Sequence, residues 1–382
     1  MSTEVRPPKV TPEPVLPAFA GPCLTNVMPA LLAHAHGGEP APAPWVPAPV
    51  DGARQIVVLV LDGLGWEQLA DRSPFAPVLA SATGGPITSV APSTTATALT
   101  SLSTGLAPAV HGTVGYRVVA GGGVLNVLAW RVGGVDARQT LPARRFQRFP
   151  AFPFDGVRTP VVSRAEYGPT GFTAAHLGGA DLHGWYTASG LVVEVRRLVE
   201  AGEPLVYAYY DGIDRVAHAR GFGDHYDAEL RAADRLVGDV LEALPPGACL
   251  VVTADHGQVD VGPSVEVLGA DVMDGVRLLS GEGRFRWLHA RPGATEDVAA
   301  AAGAAFGHVA WVRTLEHVIE EGWLGGEPVP EVRDRLGDVV LAPFTATAFL
   351  DPADTGEQRL RCRHGSLTAA EMLVPLVAFE PR

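Results

Sequence analysis

The chain has 382 residues, of which 47% are hydrophobic and 19% charged, with a formal net charge of -13. This apolar content excludes global disorder, and the acidic balance excludes a nucleic-acid polymer as partner. Three cysteines (Cys23, Cys249 and Cys362) without a CxxC pair exclude a disulfide framework and fit the cytoplasm.

Residues 1–54 are rich in Pro and Ala, as in Pro40-Ala41-Pro42-Ala43-Pro44. They read as a leader that packs on the core, with a short helix at Thr25 to His34. No run of about 18 apolar residues exists, so neither a transmembrane helix nor a membrane partner is expected. Residues 55–261 read as the first part of an α/β catalytic core. Its first strand, Ile56 to Leu61, stops on Asp62-Gly63. Thr94 to Leu102 has helical spacing and opens on Ser and Thr. Val118 to Val132 alternates around Gly121-Gly122-Gly123, a hairpin signal. Residues 133–165, rich in Arg, Phe and Pro, read as loops. Ser189 to Ala201 predicts a helix leading into a second strand, Leu205 to Tyr210. In His225 to Leu244, apolar residues recur at three- and four-residue steps, and Pro245-Pro246-Gly247 ends the helix. The third strand, Cys249 to Thr253, follows at once. Such a strand–helix–strand unit implies parallel pairing. Residues 262–337 read as an inserted subdomain, with a strand at Arg284 to Ala290 and helices at Glu296 to Ala305 and Thr314 to Glu321. Residues 338–382 read as the C-terminal part of the core, with a strand at Met372 to Phe379, although the change of character that marks the insert runs to 345 and takes in a strand at Asp338 to Ala342.

The three core strands stop on carboxylates and imidazoles. Asp62 follows the first, Asp211, Asp214 and His218 the second, and Asp255-His256-Gly257 the third. His364-Gly365 is a further candidate. Open α/β sheets bind ligands beyond the carboxyl ends of their strands, and clustered oxygen and nitrogen donors there point to two divalent metals. Each segment alone has a plainer explanation. Asp-Gly is common turn chemistry, and a DxxxH pair arises by chance. Together they resist it, because unpaired carboxylates at buried strand ends carry a desolvation cost. Asp211 competes with Asp214, and the spacing to His218 favours Asp214. Between the first strand and its helix lies Ala91-Pro92-Ser93-Thr94-Thr95-Ala96-Thr97-Ala98. A hydroxyl at a helix N-terminus can meet a metal and a phosphate together; the alternative is that Ser93 or Thr94 merely caps the helix. Lys9 is the only lysine, so no lysine base is available in the body of the chain.

Asp62-Gly63, Pro92-Ser93-Thr94-Thr95 and Thr104-Gly105-Leu106-Ala107-Pro108-Ala109-Val110-His111-Gly112 together resemble the alkaline phosphatase superfamily. Within it they are most similar to the type I phosphodiesterase/nucleotide pyrophosphatase family, whose pattern is Pro-Ser-x-Thr followed by Thr-Gly-x-x-Pro-x-x-His-Gly. The resemblance covers most of residues 55–261 and 338–380. It implies a three-layer α/β sandwich with a mostly parallel central sheet flanked by helices. It implies a hydrolase of phosphodiester or pyrophosphate bonds with Thr95 as nucleophile and two divalent metals, zinc before manganese. One site would be Asp214, His218 and His364. The other would be Asp62, Asp255 and His256, with Thr95 bound to it. The substrate would be a small phosphoester, nucleotides included. A phosphomonoesterase, phosphonate hydrolase or phosphomutase on the same core is the alternative, and a catalytically inactive metal-binding protein is the alternative of another class. The Cys-x-Pro-x-Arg sequence of sulfatases is absent. The family's Asn three residues after the nucleophile is Ala98 here. Thr97, Tyr116 or an arginine of 133–165 are the candidates to replace its phosphate contact. His111 reads as a structural, hydrogen-bonded histidine.

Overall fold

Seven strands form the central sheet of the computed structural model, which describes residues 11–38, 43–153 and 156–380. Lys9 and Pro40 to Pro42 lie outside the described residues. The strands are β1 (Gln55–Leu61), β2 (Thr83–Thr88), β3 (Pro160–Arg164), β4 (Asp181–Trp185), β5 (Leu205–Tyr210), β6 (Ala248–Thr253) and β7 (Leu373–Phe379). Their order across the sheet is β2-β7-β6-β1-β5-β3-β4. β1 pairs in parallel with β6 and β5, and β3 pairs in parallel with β5 and β4. Only β7 is reversed, antiparallel to both β6 and β2. The sheet is therefore mostly parallel, as expected. β1 and β6 are buried almost end to end, which is why they read as unbroken Val/Leu runs rather than alternating ones.

Helices flank the sheet. They include α1 (Leu24–Ala35), α2 (Thr95–Thr104), α3 (Ala188–Glu200), α4 (Gly212–Arg220) and α5 (Asp224–Ala243). On α5 the buried residues Leu230, Ala233, Val237, Val240 and Leu241 repeat at helical spacing and face the core. On α1, Leu24, Val27, Met28 and Leu31 are buried in the main core, so this part of the expected leader is an integral core helix. Among the described residues no helix is long and apolar enough to cross a membrane.

Three features differ from the reading of the sequence. The stretch 133–165, read as loops, contains β3, an interior strand of the large sheet. β3 carries only two consecutive apolar β-branched residues, Val161 and Val162, between Pro160 and Ser163, too short a run to stand out. β4, Asp-Leu-His-Gly-Trp, is an edge strand whose burial comes only at Trp185. Finally, the boundary expected at 337 does not separate two sheets, because Val339–Pro343 pairs inside a second sheet with strands of the insert. That sheet runs in the order Val276–Glu282, Phe285–Ala290, Val339–Pro343, Ala310–Thr314. In this second sheet Trp287, Val340 and Ala342 face the main core, while Leu288, Val339 and Leu341 face a smaller core under the helix Thr295–Phe306.

Candidate active site

The carboxyl ends of β1, β5 and β6 converge because the three strands are neighbours in parallel register. Asp62 leaves β1, Asp214 lies in the first turn of α4 just after β5, and Asp255-His256 leaves β6. Gly257 permits the close approach there: a Cβ on it would sit 2.0 Å from the Ala370 carbonyl oxygen. His364 follows the short strand Cys362–Arg363, which pairs with Val259–Asp260. The loop before α2 is stitched to the same place. Ser93 N donates to Gly365 O at 3.0 Å, and His364 Nδ1 donates to Ser93 O at 3.1 Å.

Three histidines use the same orientation. His256 Nδ1 bonds Gly257 O at 3.0 Å, His218 Nδ1 bonds Cys362 O at 2.7 Å, and His364 Nδ1 bonds Ser93 O. A carbonyl only accepts, so each Nδ1 carries a proton and each Nε2 turns to the site. Nε2 of His256 lies 3.4 Å from Asp62 Oδ1 and 3.5 Å from Asp255 Oδ2. Nε2 of His218 lies 3.2 Å from Asp214 Oδ1, and that of His364 lies 3.9 Å from it. The His256 and His364 rings stack with centroids 3.6 Å apart. Ligand atoms of Asp62, Asp255 and His256 lie within 4.8 Å of one another, as do those of Asp214, His256 and His364. His256 thus stands beside both groups.

Carboxylates crowded together in a buried site are unfavourable without a cation between them. Asp62 Oδ1 and Asp255 Oδ2 are buried and have no hydrogen-bond partner. Burial, then the Asp255 and Asp214 carboxylates, hold Asp62 well above the usual carboxylate range, against the Tyr209 hydroxyl that donates to its Oδ2. Burial also raises Asp214 and drives His364 well below the usual imidazole range. Orphaned carboxylate oxygens beside imidazole Nε2 atoms are a donor set that could hold a divalent cation.

The Ser93-Thr94-Thr95 run separates by environment. Ser93 Oγ donates to Ser366 O at 2.6 Å, on the far side of its backbone. Thr94 is the N-cap of α2, but its side chain makes no capping bond. Thr95, the first helical residue, places Oγ1 3.0 Å from His256 Nε2. The first turn of α2 leaves backbone N–H groups beside it, a favourable place for an anion. Asp211 is engaged elsewhere: Arg164 Nε bonds both its oxygens at 2.7 and 2.9 Å, and Tyr167 bonds Oδ2 at 2.6 Å. His111 is buried and bonded to Ser101 Oγ and Thr113 N, a structural histidine.

Two cavities of about 270 Å³ each open on either side of Thr95 and Asp214. One is lined by Leu99, Leu128, Phe172, Tyr167 and Tyr209. The other is lined by Tyr116, Glu282, Glu357, Arg363 and His364. No arginine of 133–165 lines either cavity. Of the candidates to replace the missing Asn, Tyr116 lines a cavity with Thr95, whereas Thr97 is fully buried. Three residues here carried no recognisable signal in the sequence. Tyr209 bonds Asp62, Gln258 Nε2 donates to Asp214 Oδ1 at 2.9 Å, and Glu282 reaches the site from the second sheet. Burial, with Glu357 adding to it, pushes the Glu282 carboxyl up to about 8 despite the bond it accepts from Tyr116 N.

A mostly parallel α/β sheet carrying such a cluster beyond its strand ends, beside a hydroxyl at a helix N-terminus, defines a class of hydrolases acting on phosphorus esters. The family model for type I phosphodiesterase/nucleotide pyrophosphatase matches residues 56–149 and 151–367, and the chain belongs to that family. Family members use divalent metals. No curated protein sequence matches the chain significantly. Among solved structures, murine ectonucleotide pyrophosphatase/phosphodiesterase 5, in an inactive form with AMP, is similar. Its TM-score is 0.63 at 15% identity, covering 85% of this chain and 87% of that one. The human counterpart has a TM-score of 0.61 at 15% identity, covering 85% and 87%. Phosphonoacetate hydrolase from Sinorhizobium meliloti, with phosphonoacetate, has a TM-score of 0.60 at 20% identity, covering 86% and 90%. At these identities the likeness is one of fold.

Proposed function

We propose that this chain hydrolyses phosphodiester or pyrophosphate bonds of small molecules, nucleotides among them, with Thr95 as nucleophile. The observation that carries the reading is Thr95 Oγ1, 3.0 Å from His256 Nε2 at the start of α2. Asp62, Asp255 and His256 would hold one divalent ion and Asp214, His218 and His364 a second. Bound there, zinc (manganese as second choice) supplies Lewis acidity that acidifies a hydroxyl and neutralises phosphoryl charge. The backbone N–H groups of α2 receive phosphoryl oxygens. The Thr95 Oγ1 proton passes to solvent as Oγ1 bonds phosphorus and the bond to the leaving oxygen breaks, that oxygen taking a proton from solvent; water then attacks phosphorus, the bond to Oγ1 breaks and Oγ1 is reprotonated. The Nδ1 bonds of His218, His256 and His364 hold each ring with Nε2 turned to the site.

Diesters are favoured over monoesters in this reading. Arg215 and Arg363 are the arginines lining the cavities, and each lies beside a carboxylate, Asp211 and Glu357. A dianionic monoester would find little unpaired positive charge there. A phosphonate hydrolase on the same core is the second reading, supported by the fold shared with phosphonoacetate hydrolase. Three free, buried cysteines support a reducing compartment, and the cytoplasm is the proposed location. Purified protein should hydrolyse bis-p-nitrophenyl phosphate, lose that activity on chelation and regain it with zinc or manganese. Turnover that survives complete metal removal would sink the two-metal reading. A kcat/KM for p-nitrophenyl phosphate about tenfold above that for the diester, equivalent to about 1.4 kcal/mol, would make the chain a phosphatase.

A further inference from the structure

We propose that the cavity between Thr95 and Glu282 receives a primary ammonium group carried by a substituent of the substrate's phosphoryl centre, and that Glu282 selects it. The inference rests on the phosphoester-hydrolase reading above. Glu282 ends the strand Val276–Glu282 and is only 4% exposed, yet it lines the same cavity as Thr95, Asp214 and His364. Its Oε2 accepts from Tyr116 N at 3.0 Å, while its Oε1 has no hydrogen-bond partner. Tight packing holds it in place. A Cβ on Gly115 would lie 3.2 Å from Oε2, and one on Gly365 would lie 2.8 Å from Cγ.

The surrounding charges do not balance it. Asp351, Asp354 and Glu357 are matched by Arg117, Arg286 and Arg363. Arg117 bonds Asp351, Arg286 Nη2 lies 3.0 Å from Glu357 Oε2, and Arg363 Nη1 lies 3.8 Å from Glu357 Oε1. Arg117 also lies 3.9 Å from Asp354. Among the described residues Glu282 has no ion pair, and no lysine is present to supply one. Burial favours the protonated form of this carboxyl, and a cation entering from the open side, which is the cavity, would take the proton's place. A primary ammonium brings N–H donors together with the positive charge that an ionised Glu282 needs; a hydroxyl brings a donor alone.

The test uses the zinc-loaded full chain and three p-nitrophenyl diesters whose second substituent is 2-aminoethyl, 2-hydroxyethyl or propyl. The aminoethyl ester should exceed the propyl ester in kcat/KM by about tenfold or more, and should also exceed the hydroxyethyl ester. Glu282→Gln should bring the aminoethyl-to-propyl ratio close to one. An unselective wild type, an equal preference for the hydroxyethyl ester, or a ratio that survives in Glu282→Gln each overturns the assignment. Should that variant fail to fold, inhibition of the wild type decides. 2-Aminoethylphosphonate should inhibit bis-p-nitrophenyl phosphate hydrolysis about tenfold more tightly than propylphosphonate, and equal inhibition overturns the proposal. A wild type inert on all these esters, bis-p-nitrophenyl phosphate included, defeats the hydrolase reading itself; one that turns them over without favouring the amine defeats only this inference.

Discussion

At the residue scale, the three hydroxyls of Ser93-Thr94-Thr95 are chemically alike and differ only in what they face. Ser93 bonds the Ser366 carbonyl, and Thr95 faces His256. Thr95→Ala should lower kcat by about a thousandfold or more while leaving metal content and melting temperature largely intact. Thr94→Ala should cost far less, and the reverse order would show the nucleophile misplaced by one position. Tyr209 acts one layer further out. Its hydroxyl donates to Asp62 Oδ2 and fixes that carboxylate's direction. Tyr209→Phe should weaken metal affinity about tenfold, read by titrating zinc into metal-free protein. Unchanged affinity would make that bond incidental to the site.

At the element scale, the second sheet is coupled to the site through one buried ion pair. Arg284, at the turn between Val276–Glu282 and Phe285–Ala290, bonds both oxygens of Glu371 at 2.8 and 2.6 Å, and both residues are fully buried. Glu371 in turn accepts from Ser366 N, and its backbone carbonyl accepts from Gly257 N. The pair therefore braces the backbone on which His256 and Ser93 are set. Removing one partner of a buried pair leaves the other charge uncompensated. Arg284→Ala should destabilise the fold by about 3–5 kcal/mol in urea unfolding. A loss below about 1 kcal/mol would show that water or repacking compensates Glu371.

At the scale of the whole molecule, buried histidines that are not candidate metal ligands contribute to the response to acid. Burial, helped by Arg335, lowers His111 to about 3, and burial lowers His176 to about 4. Both are depressed relative to the unfolded chain, at about 6.5. As pH falls below that value the unfolded chain binds protons that the folded chain refuses. The stability these rings contribute is present above about pH 6.5 and is lost as pH falls toward their folded values. Each adds a slope of up to about 1.4 kcal/mol per pH unit in that window. Unfolding free energies measured between about pH 7 and about pH 4.5 should fall less steeply in His111→Asn than in the wild type. An identical slope would mean that His111 is not held neutral.

Much of this was legible in local sequence. Apolar runs followed by Asp62, Asp211 and Asp255-His256 marked three strands that prove to be neighbours, and a regular three- and four-residue step marked α5. These signals are local because a fully buried strand and an amphipathic helix each announce themselves within a dozen residues. The choice between Asp211 and Asp214 had a hint in the spacing to His218, but its cause is tertiary: Arg164 and Tyr167 come from β3 and the turn after it to occupy Asp211. Only the tertiary structure brought Tyr209, Gln258 and Glu282 to the site, located β3, and put Val339–Pro343 in the second sheet. Each of these depends on partners distant in sequence, and a short apolar run or a lone polar residue carries no mark of which distant partner it will meet.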